Sequence, residues 1–70
     1  MLFDIQLLGK PDANGHAAVV ESRTHTGDSV EDAVRAAKII VRSASVPGTD
    51  GFRLIRNGLE VFLWFNEQDV

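Results

Sequence analysis

Cysteine and tyrosine are absent from this 70-residue chain, proline occurs twice and tryptophan once. Without cysteine there is no disulfide framework and no thiolate metal site. No apolar run approaches the roughly 20 residues that a helix needs to cross a bilayer. The opening MLFDIQLLGK carries Asp4 and no basic leader, so it does not read as a signal peptide. Positive charge is also scarce: seven Lys and Arg stand against ten Asp and Glu, a net charge of −3. The basic residues are scattered, whereas a phosphate-binding surface needs them clustered. These absences predict a cytoplasmic protein that binds neither membrane nor, by itself, nucleic acid.

What is present suits one globular domain spanning residues 1–70. Hydrophobic residues make up 44 % and charged residues 24 %, a balance in which a packed core can form. A chain this short buries only about 60 % of its unfolded surface. With disulfides excluded, a well-packed core, oligomerisation or both must supply stability.

Residues 2–8 alternate, with Phe3, Ile5 and Leu7 on one face and Asp4 and Gln6 on the other, the pattern of a strand. KPDANG, residues 10–15, has turn chemistry, and residues 16–24 read as a second, weaker strand. A helix opens at Gly27-Asp28-Ser29. Either Asp28 with Glu31 or Ser29 with Asp32 makes a capping pair. Val30, Ala33, Val34, Ala37, Ile40, Val41 and Ala44 then form one apolar stripe. Lys38 and Arg42 lie toward its end, the favourable sense for the helix dipole, and Ser43–Ser45 with Pro47-Gly48 stop it. Asn57-Gly58 separates two apolar runs and predicts a tight type I′ hairpin over residues 51–65.

The elements add up to an α+β fold of order ββαββ. One amphipathic helix packs on one face of a four-stranded, mainly antiparallel sheet. A regular two-residue hairpin sets Arg56 opposite Leu59, Leu54 opposite Val61 and Arg53 opposite Phe62. Phe52, Leu54, Leu59, Val61, Leu63 and Phe65 then share the face that the helix covers. Arg53, Ile55, Glu60, Phe62 and Trp64 share the other, with Arg53 able to lie over the Phe62 ring.

A second apolar face on so small a sheet has two readings. Its side chains lie half-exposed, shielded by Arg53, Gln6 and the C-terminal tail, as scattered apolar residues often do. Otherwise the face is an interface, foremost with a second copy of the chain, because Trp, Phe and Arg concentrate at interface centres and two-fold dimers are the commonest assembly. Arg53, Ile55, Phe62 and Trp64 are the expected contact residues. A small protein partner is a further expectation.

Catalytic and cofactor signals are weak throughout. His16 and His25 are too far apart, and without a third ligand, to suggest a metal site. Asp28 and Ser29 beside His25 are accounted for as helix-capping residues rather than a triad. GKPDANG lacks the G-x-x-x-x-G-K-S/T spacing of a phosphate loop. No catalytic residue, cofactor or metal is expected, and the reading is a non-enzymatic protein–protein interaction module.

The segment THTGDSVEDAVRAAK, residues 24–38, resembles HicB-like antitoxins, in which a strand runs into T-x-G-D-S/T-x-E-E-A and a helix. Gly27, Asp28, Ser29, Glu31, Asp32 and Ala33 carry the likeness, which extends over residues 15–44. It implies a small sheet with one helix that neutralises a small ribonuclease toxin. The chain departs from that pattern in lacking its Pro-Asp-x-Pro-Gly turn and DNA-binding segment, and in placing a full hairpin after the helix.

Overall fold

In the computed structural model, residues 1–43 and 45–66 are described. The elements are β1 (Leu2–Leu8), β2 (Val19–Thr26), α1 (Val30–Arg42), β3 (Gly51–Arg56) and β4 (Leu59–Phe65). Four antiparallel strands form one sheet in the order β2-β1-β3-β4. The hairpins therefore meet along a β1–β3 seam, and β2 and β4 are the edges among the described residues.

Local chemistry sets most boundaries. Asp12 Oδ1 accepts from the backbone N–H groups of Asn14 and His16, closing the loop after β1 as an Asx turn. That holds His16, Ala17 and Ala18 out of the ladder. The second strand thus runs over Val19–Thr26, not residues 16–24, and reaches the helix start directly. Ser29 is the cap: its hydroxyl accepts from Asp32 N–H at 3.2 Å. Asp28 does not take that role. Asn57 and Gly58 have φ of 54° and 78°, the left-handed pair that a type I′ turn requires.

The helix buries Ala33, Ala37 and Val41, with Val30, Val34 and Ile40 packed at the margin. Ala44, assigned to the same stripe, lies outside the described residues, as does the C-terminal tail proposed as a shield. Small residues at the buried positions let α1 sit close to Phe3, Ile5, Leu7, Phe52 and Leu54, all at most 1 % exposed.

The β3–β4 register needs correction. Arg56↔Leu59 and Ile55↔Glu60 pair as a regular hairpin dictates, but the next rung is Leu54↔Phe62. Val61 is the extra residue of a β-bulge. Because side chains alternate with period two, one inserted residue transfers every later side chain to the opposite face. Phe62 and Trp64 therefore point to the helix side. Phe62 stacks on Phe52 at 5.9 Å and Trp64 meets Phe52 at 5.6 Å between ring centroids. Trp64 is 6 % exposed, and Lys38 Nζ and the Arg42 guanidinium lie 5.3 and 5.5 Å from its ring. Burying the large aromatics gains more than burying Val61 and Leu63, which is the physical reason that the bulged register prevails.

A second register shift falls between Leu7 and Leu8. Bulges bend their strands and increase twist, as in barrel-type sheets. The expected picture of one helix laid over a regular sheet face is corrected to that extent: the ladder is interrupted on both sides of the seam.

Candidate functional site

The face turned away from α1 carries the features that the core leaves unused. Register places Asp4, Gln6 and Leu8 of β1, Arg53 and Ile55 of β3, and Leu63 and Phe65 of β4 on it. Val61 and Leu63 are 42 % and 44 % exposed, while Ile55 and Phe65 are half-buried. Gly51 belongs to the same face and is itself buried. A Cβ there would collide with the Trp64 carbonyl oxygen and the Phe65 ring, so the glycine lets that ring close over the strand.

A cleft of 350 Å³ opens here. Leu8, Leu63 and Phe65 give it apolar walls, the Gly15–Ala17 segment of the first loop forms its rim, and Arg53 and Glu60 provide charge. Arg53 Nε donates to Gln6 Oε1. Its Nη1 lies 4.0 Å from Glu60 Oε1, with the arginine side chain 38 % exposed. The guanidinium is held in place across β1, β3 and β4 by partners on either side, yet keeps a wet edge. A pair this open contributes little to stability.

Of the four contact residues expected from sequence, the structure keeps Arg53 and Ile55 together on the outer face and sends Phe62 and Trp64 to the other. The expected Arg53–Phe62 contact is replaced by Arg53 opposite Leu63. Val61, Leu63 and Phe65 are the residues that sequence reasoning placed in the core. The available signal was the unbroken apolar run LEVFLWF, which allows either face to win once a bulge is admitted. Elsewhere, His25 Nε2 and Asp32 Oδ2 lie 3.2 Å apart beside the helix start. Among the described residues no group of three His, Cys, Asp or Glu side chains converges as a metal site, and no helix is long and apolar enough to cross a membrane.

A family model described as a TOBE domain matches residues 4–70. The chain belongs to the TOBE domain family. The HicB-like resemblance is thereby overturned: it rested on a helix-start segment, whereas the TOBE match takes in all four strands and the helix. TOBE domains are small OB-like β-barrel folds, so the two-layer α+β class read from the sequence is set aside as well. TOBE domains are often involved in binding, molybdate among their ligands. Comparison with curated proteins and with solved structures gives no match.

Proposed function

We propose that this TOBE domain is a non-enzymatic association module that pairs with a second copy of itself on the β4 side of its outer sheet face. One observation carries the reading: Val61 and Leu63 stand 42 % and 44 % exposed, beside Ile55 and Phe65, on a domain small enough to gain stability from pairing. Isolated exposed apolar side chains need no explanation, but a contiguous group with an arginine at its margin has the make-up of an interface. Residues 53 and 55 stay in this assignment; Val61, Leu63 and Phe65 take the places of Phe62 and Trp64. The test is absolute mass by light scattering from micromolar to near-millimolar protein. Twice the 7.7 kDa chain mass supports pairing. A monomer over the whole range ends it.

A second reading takes the cleft as a small-ligand site, with Arg53 as the group that meets an anion. The wet edge of its guanidinium supports this, and the binding habit of TOBE domains gives molybdate as the probe. Calorimetric titration of the purified domain with molybdate decides it: heat that disappears in Arg53→Gln favours the reading, and no heat at millimolar anion removes it.

A further inference from the structure

The cleft on the outer face combines one guanidinium, one carboxylate and apolar walls, and that combination limits what can enter. Arg53 Nε is committed to Gln6 Oε1, and its Nη1 lies 4.0 Å from Glu60 Oε1. A guanidinium carries more N–H donors than these two partners use. Anchored on both sides, it loses little freedom when a further acceptor arrives. A planar carboxylate suits such a fork, because it can accept two parallel hydrogen bonds.

We propose, building on the ligand reading of the cleft above, that it takes a monocarboxylate with an apolar body, the carboxylate at Arg53 and the hydrocarbon along Leu8, Ala17 and Leu63. Charge is the first consideration. Glu60 stands beside Arg53, so the pair offers no net positive charge. A single negative charge can share the guanidinium with Glu60, whereas the second charge of a dianion meets the Glu60 carboxylate without compensation. Size is the next. The cleft of 350 Å³ falls within the roughly 300–1,000 Å³ of small-molecule sites. A tetrahedral oxyanion fills a small part of that space and sets its remaining oxygens against walls that cannot hydrogen-bond.

Wall chemistry is the last consideration. A carbohydrate needs many convergent polar groups, and the polar side chains lining this cleft are Arg53, Glu60 and His16. Leu8 is 3 % exposed and forms a fixed wall, while Leu63 is 44 % exposed and still has apolar area to lose from water. Hydrocarbon is the ligand surface that gains from both. Glu60 thereby acts as a selectivity group: it leaves room at Arg53 for one charge and opposes a second.

The experiment follows backbone amide resonances of the full chain during titration with acetate, butanoate, hexanoate and molybdate. Affinity is expected to rise by about fourfold for each methylene added, the gain of burying one such group, with the largest shifts at Ala17 and Leu63. Arg53→Gln is expected to weaken hexanoate by at least about tenfold. Leu63→Asp, a change at an exposed position, places a carboxylate on the wall and does the same, so the question stays decidable if either variant fails to fold. Glu60→Gln is expected to strengthen molybdate by a larger factor than hexanoate. Molybdate binding more tightly than hexanoate, with loss in Arg53→Gln, leaves the anion site standing and overturns the monocarboxylate. Affinity that rises with chain length but is indifferent to both Arg53→Gln and Leu63→Asp overturns it too, as unspecific apolar adsorption. No shift with any of the four ligands at millimolar concentration overturns the ligand reading as a whole.

Discussion

Inner strand against inner and outer against outer, the two hairpins differ by one residue per strand, yet they do opposite work. In β1–β2 the inner strand is almost wholly buried on its helix side, while β2 supplies nothing to the buried core. In β3–β4 both strands enter the core, through Phe52 and Leu54 on one and Trp64 and Phe62 on the other, and the outer face of β4 is apolar as well. The first hairpin spends its second strand on a solvated border. The second concentrates aromatic packing and exposed apolar surface in the same seven residues. An edge strand can therefore be essential to folding and available for association at once, provided that its two faces are kept distinct by register.

Replacing both Phe62 and Trp64 by alanine breaks this comparison most severely. The loss of two aromatic anchors from the helix side is expected to cost about 5 kcal/mol or more. Circular dichroism should show an unfolded chain or a transition shifted far down; a cooperative transition near that of the parent would refute the placing of both rings in the core. Phe52→Ala, which removes the ring that both aromatics of β4 contact, is expected to lower stability by about 3–5 kcal/mol in urea titration. Ser29→Ala removes the helix cap and is expected to cost about 1 kcal/mol by the same measurement. The smallest effect belongs to the polar border: Arg23→Ala breaks an exposed ion pair and is expected to change stability by no more than about 0.5 kcal/mol. If Arg23→Ala equalled Phe52→Ala in effect, the contrast between the hairpins would be lost.

The legible parts of this molecule are those in which local chemistry decides. Asn57-Gly58 fixes the first rungs of its hairpin, so Arg53 and Ile55 could be placed on the outer face from sequence. The helix from Val30 follows from apolar spacing, although choosing Ser29 over Asp28 as the cap required the backbone. The bulge at Val61 was hidden because its cause is not local. It is a competition between two apolar sets for one cavity, settled by packing against Phe52 and against Lys38 and Arg42 of the helix. For the same reason only Arg53 and Ile55 of the four expected contact residues lie on the outer face, and Phe62 and Trp64 do not. The family was hidden differently: Gly27-Asp28-Ser29 announces the start of a helix, and helix starts look alike in unrelated folds, whereas TOBE membership is carried by the pattern of the whole chain.

The β1–β3 seam has a kinetic consequence. Each hairpin and the helix can organise from neighbours in sequence, but Gln6 and Arg53, which meet across the seam, are 47 residues apart. Closing so long a segment costs chain entropy before the seam returns any contact. Docking of one hairpin on the other, with α1 trapped between their sequences, is therefore the slow step, as expected where non-local pairing dominates. Changes in the Asn57-Gly58 turn or the Ser29 cap, which organise before that step, should act chiefly on the rate of folding, and changes at Leu7 or Phe52, which pair across the seam, should divide between folding and unfolding.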